Sequence, residues 1–129
     1  MSSESESRPW PTELRLSKDG KTLTVAFERG ERYALSAEYL RVKSPSAEVQ
    51  GHSPAERQTV PGKRDVMITE IQPIGNYAVR LTFDDMHSTG IFSWDYFAEL
   101  GRSLDQYWSE YLAELAAKGL TRDPPARRK

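Results

Sequence analysis

Apolar and polar residues alternate along short stretches of the chain, which is the pattern of β-strands that bury one face. Three such stretches follow one another at residues 13–17, 22–28 and 32–35. The Asp19-Gly20 pair between the first two is typical of a two-residue hairpin turn. The N-terminal part of the sequence therefore predicts an antiparallel meander of three strands.

Two further alternating stretches, at residues 65–74 and 77–83, are joined by a turn that begins at Gly75. The first is apolar on both faces, which predicts a central place in its sheet. In the second, the odd-numbered residues, starting with Tyr77, are predicted to face the core. A short last strand is predicted at residues 89–93.

Two short helices are predicted beside these strands. Ser36 and Ser93 are placed to cap helices over residues 37–43 and 94–100, because a serine hydroxyl can accept from a first-turn amide. Gly101 is predicted to end the second of them.

The longest helical pattern runs from residue 104 to about residue 118. Ser103 followed by Gln106 has the spacing of a capping box, and Gly119 is placed as the C-terminal cap. Its apolar stripe recurs at helical spacing through Leu104, Tyr107, Trp108, Tyr111, Leu112 and Leu115. These patterns together predict an α+β domain, a small antiparallel β assembly of about six short strands with two to three helices.

The domain organisation follows from composition along the chain. Residues 1–8 are polar and serine-rich and predict a disordered tail, and residues 9–101 hold the folded domain. Residues 102–119 form the amphipathic C-terminal helix, and residues 120–129 predict a disordered basic tail. Within the domain, residues 44–63 contain prolines and glycines without periodicity, which predicts a long irregular loop.

Overall charge and cysteine content narrow the classes of function. The net charge of −1 lacks the basic excess of nucleic-acid binders, so no nucleic-acid partner is expected. The 129 residues include no cysteine, which argues against disulfides, thiolate metal sites and a cysteine nucleophile. No apolar run reaches membrane-spanning length, so we expect no membrane partner and a cytoplasmic protein.

Four segments in order carry a family resemblance: L-R-L-S-K-D-G-K-T-L-T-V-A-F, Y-L-R-V-K-S-P-S-A, V-M-I-T-E-I-Q-P-I-G-N-Y-A-V-R-L-T-F-D-D and H-S-T-G-I-F-S-W-D-Y-F-A-E-L. Together they resemble the N-terminal domain of gamma-butyrobetaine hydroxylase and its free-standing bacterial relatives. The resemblance covers about residues 11–101.

The resemblance implies a structural zinc held by a C-P-C-x-x-C cluster and a later histidine. Those positions fall on Ser44, Ser46, Val49 and His87, so three of the four ligands are replaced. Serine is a poor zinc ligand and valine cannot coordinate, so no cofactor is expected. The hydroxylase domain does not follow in this sequence, and the residues include no complete catalytic constellation, so we expect no enzyme activity.

The resemblance also implies partners. Such domains precede oxygenase catalytic domains or are joined to P-loop carriers of iron–sulfur clusters. We therefore expect a non-catalytic accessory or protein-interaction module whose partner is an oxygenase or an iron–sulfur assembly factor.

The alternative is a metal-handling protein. If the long loop folds back as the family implies, His87 and His52 could share zinc or iron with Glu48, Asp84 or Asp85. The plainer interpretation is a hydrogen-bonded turn histidine and a solvated pair of aspartates.

The aromatic residues near the C-terminus also allow two interpretations. Most should belong to the core. The sharper hypothesis is that Trp108 and Tyr111 help the last helix bind a partner protein or a second copy. Arg122 and the basic tail are weak evidence for any nucleic-acid contact.

Overall fold

The computed structural model describes residues 10–45, 59–85 and 90–124. Its elements, in chain order, are β1 (Pro11–Leu16), β2 (Thr22–Phe27), β3 (Arg32–Ser36), α1 (Ala37–Val42), β4 (Ile68–Ile74), β5 (Ala78–Phe83), β6 (Ile91–Ser93), α2 (Trp94–Arg102) and α3 (Leu104–Ala117). The predicted α+β fold of six short strands with three helices is confirmed. The predicted N-terminal tail, most of the long loop and the second half of the basic tail lie outside the described residues.

The strands form two antiparallel three-stranded sheets, with orders β1-β2-β3 and β4-β5-β6. The Ile68 N–H at the start of β4 donates to the Gly20 carbonyl at 2.8 Å, which links the two sheets. Gly20 has φ +74°, and a Cβ there would lie 2.8 Å from the Ile68 carbonyl oxygen. Glycine is therefore required here both for the turn and for the close approach of the second sheet.

The predicted two-residue turn at Asp19-Gly20 is wrong, although the hairpin itself is present. The Ser17 N–H donates to the Thr22 carbonyl at 2.9 Å, which leaves four residues in the loop. The Asp19 carboxylate braces this loop by accepting from the Ser17 hydroxyl and the Lys21 amide, at 2.6 and 3.0 Å.

The predicted central position of β4 is also wrong, because β4 is an edge strand that pairs with β5. Val66, which suggested a longer strand, is buried before β4 begins. Along β5, Val79 and Leu81 face the core as predicted. Tyr77 precedes the strand and is 56% exposed, whereas Ala78 is 1% exposed, so the predicted inward and outward sides are reversed at these two positions.

Both predicted serine caps are present. The Ser36 hydroxyl accepts from the Tyr39 amide at 3.0 Å and the Ser93 hydroxyl from the Tyr96 amide at 3.1 Å. The prediction that Gly101 ends α2 is wrong, because Gly101 lies inside this helix. A Cβ at Gly101 would lie 2.3 Å from the Tyr33 ring, so this glycine lets β3 pack against the helix.

Helix α3 ends in a Schellman motif. The Leu120 N–H donates to the Leu115 carbonyl at 2.8 Å and the Gly119 N–H to the Ala116 carbonyl at 3.2 Å, with Gly119 at φ +68°. The predicted capping box is wrong, because Ser103 makes no side-chain capping bond. Ser103 serves instead as the junction between α2 and α3.

The main core lies between the two sheets, α1 and α2, and a second, smaller cluster lies under α3. The fully buried large residues of the main cluster include Leu23, Leu35, Leu40, Leu81, Phe92, Phe97 and Leu100. Tyr111 and Leu115 anchor the smaller cluster against Val42. In the described part of the chain, no helix has the length and apolar character needed to cross a membrane.

Candidate functional site

The two segments that carry the implied metal positions meet at Ser44 and Gly90. Ser44 follows α1 and is fully buried, and Gly90 directly precedes β6. A Cβ at Gly90 would lie 2.3 Å from the Ser44 Oγ, so the side chain of Ser44 packs directly against this glycine. The start of the long loop and the residue after positions 86–89 are therefore in contact, as predicted.

An ion-pair cluster is joined to Ser44 through Arg41, whose carbonyl accepts from the Ser44 N–H at 3.3 Å. The Asp85 Oδ2 accepts from the Arg41 Nε at 2.8 Å and from the Lys63 Nζ at 2.6 Å. The three side chains are at most 22% exposed, so these charges are partly shielded from solvent. The predicted solvated turn is therefore wrong for Asp85, which ties together the end of α1, the segment before β4 and the end of β5.

The other aspartate of the pair has a different role. The Asp84 Oδ1 accepts from the Met67 amide at 3.1 Å, and the Asp84 N–H donates to the Met67 carbonyl at 2.9 Å. Asp84 thus extends the pairing of β4 and β5 by one step.

The donor set of the described residues does not fit a zinc ion. Ser44 offers a buried hydroxyl against Gly90, and a divalent cation would have to displace Arg41 and Lys63 from Asp85. Residues 10–45, 59–85 and 90–124 contain no group of three or more His, Cys, Asp or Glu side chains placed to hold a metal. Ser46, Val49, His52 and His87 lie outside the described residues, so metal binding at His87 and His52 remains a prediction.

The far end of the long loop is held by α3 and the residues after it. The Tyr111 hydroxyl donates to the Val60 carbonyl at 2.6 Å, and the Lys118 Nζ donates to the Thr59 hydroxyl at 2.8 Å. Burial raises the pKa of Tyr111 to about 12, so this hydroxyl stays protonated at neutral pH.

Beyond α3 the chain returns to the same segment. The Gly62 N–H donates to the Thr121 carbonyl at 2.9 Å, and the Arg64 N–H donates to the Arg122 carbonyl at 3.0 Å. We call residues 119–123 the C-terminal clasp, because they hold residues 62–64 against the body of the domain.

A buried ion pair fastens this clasp. Arg122 donates to both carboxylate oxygens of Glu38, at 2.7 and 2.8 Å, and Glu38 is 6% exposed. The hydrogen bond to Glu38 raises the pKa of Arg122. The Arg122 guanidinium also lies 5.1 Å from the centre of the Trp108 ring, which is a cation–π contact.

The two residues predicted to bind a partner thus have different surroundings. Tyr111 is buried and uses its hydroxyl inside the domain. Trp108 is half-buried between Tyr39 and Tyr111, with ring centres 6.2 and 5.3 Å away, and lines a surface groove together with β3.

Sequence reasoning missed the pairing of the charged residues that organise both sites. Arg41 and Asp85 are separated by 44 positions, and Glu38 and Arg122 by 84.

The family comparison matches the description "Gamma-butyrobetaine hydroxylase-like, N-terminal" to residues 14–98. The chain belongs to this family. The match includes the Ser44–Gly90 contact and the Asp85 cluster and ends before the C-terminal clasp. A comparison with curated proteins returns no match.

Solved structures are similar to this chain over more residues than the family match covers. An NMR solution structure at 46% identity covers 93% of this chain and 94% of its own, with a TM-score of 0.79. A second NMR structure at 39% identity covers 100% of this chain and 98% of its own, with a TM-score of 0.78. A crystal structure from Acidithiobacillus ferrooxidans, described as a protein of unknown function in the DUF971 family, is 37% identical over 70% of this chain and 91% of its own, with a TM-score of 0.59.

Proposed function

We propose that this protein is a non-catalytic accessory module of the gamma-butyrobetaine hydroxylase-like N-terminal family that acts by binding another protein. The observation that carries the proposal is the Arg41–Asp85–Lys63 cluster beside the buried Ser44. These side chains hold three chain segments together next to Ser44, which is the one implied metal position among the described residues. A side chain committed to two ion pairs serves poorly as a metal ligand or as a general base.

The tyrosines of the domain support the same conclusion. Burial raises the pKa of Tyr39, and its hydroxyl donates to the Leu100 carbonyl at 2.7 Å. The Tyr107 hydroxyl donates to Glu99, and this contact raises its pKa. These hydroxyls remain protonated and pair within the domain, which is a structural use of groups that could otherwise take part in proton transfer.

The partner class rests on the family relationship. We propose an oxygenase or an iron–sulfur cluster assembly factor in the cytoplasm. The test is chemical cross-linking in cells that express the tagged chain at native level, followed by affinity purification and mass spectrometry. Cross-links to an identified oxygenase or cluster assembly protein are the expected result. Recovery of unrelated proteins alone, at the level of an untagged control, contradicts the proposal.

Metal handling by His87 and His52 is the second candidate, and the Ser44–Gly90 contact favours it, since it brings the flanking segments together. Zinc or iron binding that is lost in His87→Ala is the result that would establish it. Binding that persists in the variant would reject it.

A further inference from the structure

The outer edge of β3 carries backbone groups that are not used by the sheet. The Phe27 N–H donates to the Glu31 carbonyl and the Ala37 N–H to the Lys21 carbonyl, both at 2.8 Å, which fixes the phase of the β2–β3 ladder. Odd-numbered residues of β3 therefore bond to β2, and even-numbered ones direct N–H and C=O away from it. Within the described part of the chain, the outward N–H and C=O groups of Ala34 have no backbone hydrogen-bond partner.

This edge differs from the other strand edges that the structure describes. The edge strands β1 and β4 contain Pro11 and Pro73, and proline removes a donor and discourages strand addition. The strand β6 has three residues, too few for a long ladder. The five-residue β3 contains neither proline nor lysine.

A groove of about 430 Å³ lies between this edge and the first half of α3. Ala34 and Ser36 line its strand side, and Leu104 and Trp108 line its helix side. The Trp108 ring is fixed from behind by Tyr39 and by the Arg122 guanidinium. The groove is therefore a preformed slot of apolar and polar side chains beside an open strand edge, an arrangement suited to the addition of a peptide strand.

The charge of the groove selects its occupant. Asp105, the second residue of α3, is the one charged side chain among the described residues that line it. A side chain with an aliphatic stem and a cationic end fits both the apolar and the charged part of the groove. Its stem packs on Leu104 and Trp108 while its cation pairs with Asp105.

We propose that β3 and α3 form a docking groove for an extended segment of a partner protein, which adds as a strand to β3 and places a lysine or arginine beside Asp105. This inference deepens the proposed function, on which it rests, by naming the surface and the chemistry of the partner.

The test uses two blocked nine-residue peptides of alternating threonine and valine, one with lysine and one with glutamate at the centre. Titration into the ¹⁵N-labelled protein should shift amides of residues 32–36 and 104–109, with the lysine peptide binding at least about tenfold more tightly. Asp105→Asn should weaken the lysine peptide by about tenfold. Asp95→Asn is the matched control, since Asp95 is the exposed second residue of α2, and it should leave binding unchanged.

A second variant tests strand addition separately from charge. Ala34→Pro removes the outward N–H donor and should abolish peptide binding, with the ¹⁵N spectrum showing that the domain remains folded. If Ala34→Pro does not fold, Ser109→Trp is used in its place, because the added indole ring fills the groove from α3. Shifts confined to another surface, equal effects of Asp105→Asn and Asp95→Asn, or no binding of either peptide at millimolar concentration would overturn the inference.

The same variants separate this inference from the proposed function. If an identified partner is captured equally by wild type, Asp105→Asn and Ala34→Pro, the protein binds a partner but not through this groove. If the lysine peptide binds as expected and no oxygenase or cluster assembly protein is captured, the groove is real and the proposed partner class is wrong.

Discussion

The Glu38–Arg122 ion pair gives the sharpest prediction for stability. Replacing Arg122 with alanine removes two charge-assisted hydrogen bonds and leaves the carboxylate of Glu38, 6% exposed, without its partner. Breaking a fully buried pair costs about 3–5 kcal/mol. Arg122 is 29% exposed, so water can reach Glu38 once the guanidinium is gone. We therefore expect a loss of about 2–3 kcal/mol in the free energy of unfolding.

The partner variants test whether this loss belongs to the pair. Glu38→Ala should cost about 1–2 kcal/mol, because Arg122 can turn into solvent and keep its hydration. Replacing both residues with methionine should return stability to within about 1 kcal/mol of wild type, since the two apolar side chains need no pairing. A double-mutant cycle on Glu38 and Arg122 should give a coupling energy of at least about 1 kcal/mol.

The assay is urea denaturation followed by tryptophan fluorescence and far-UV circular dichroism at neutral pH. Arg64→Ala is the matched control, because Arg64 pairs with Asp123 in the same clasp but both side chains are largely exposed. It should cost no more than about 0.5 kcal/mol. If Arg122→Ala costs no more than Arg64→Ala, the reasoning from burial is refuted.

Hydrogen exchange shows where the loss acts. The amides of Gly62 and Arg64 donate to the carbonyls of Thr121 and Arg122 and should lose protection in Arg122→Ala. The amide of Leu81 in β5 lies in the main core and should lose protection only to the extent that global stability falls. Unchanged protection at Gly62 and Arg64 would show that the clasp does not depend on this ion pair.

Three further predictions concern single positions. Gly101→Ala should lower stability by about 1–2 kcal/mol in thermal unfolding, because the added Cβ meets the Tyr33 ring. Adding Tyr33→Ala should relieve this clash. Equal stability of wild type and Gly101→Ala would contradict the packing of Gly101 against Tyr33. Tyr111→Phe should cost about 1 kcal/mol at pH 8 through the lost hydrogen bond. Burial raises the pKa of Tyr111 from its ordinary value of 10 to about 12, so its protonated hydroxyl stabilises the fold fully below pH 10 and progressively less as pH rises towards 12. In urea unfolding, the stability difference between wild type and Tyr111→Phe should therefore be smaller at pH 11 than at pH 8. The same difference at both pH values would reject the pKa shift. Zinc titration near pH 7 should give no saturable amide shift at Ser44, and a shift that disappears in His87→Ala would restore metal handling.

The features that the sequence predicted well are set by neighbours within about four residues. The caps by Ser36 and Ser93 need a hydroxyl and an amide in the same turn of helix. The end of α3 at Gly119 needs a residue tolerant of positive φ. Alternation placed Val79 and Leu81 in the core because one face of β5 is buried along its length.

The features that were missed depend on contacts between distant parts of the chain. Gly101 has the sequence context of a helix end, yet it is retained inside α2 by a ring from β3. In the sequence, Asp85 comes just after a predicted strand, which is also the context of a solvated acid. Its partners, Arg41 and Lys63, are 44 and 22 positions away, and no local pattern specifies such a pairing.

The contacts of Asp85 give this domain a way to hold separate chain segments together through ion pairs. A metal ion stabilises a small domain by holding ligands from separate segments at one point. Asp85 Oδ2 does the same with weaker bonds, because one oxygen accepts from the end of α1 and from the segment before β4 while its own backbone ends β5. Ion pairs that are about one fifth exposed are weaker than metal coordination, and a second brace acts on the neighbouring residues 62 and 64. The C-terminal clasp supplies it through the pair of Glu38 with Arg122, of which Arg122 lies after the family match at 14–98. Because both braces act on α1 and on residues 59–64, their energies should depend on each other, and weakening one should increase the effect of losing the other.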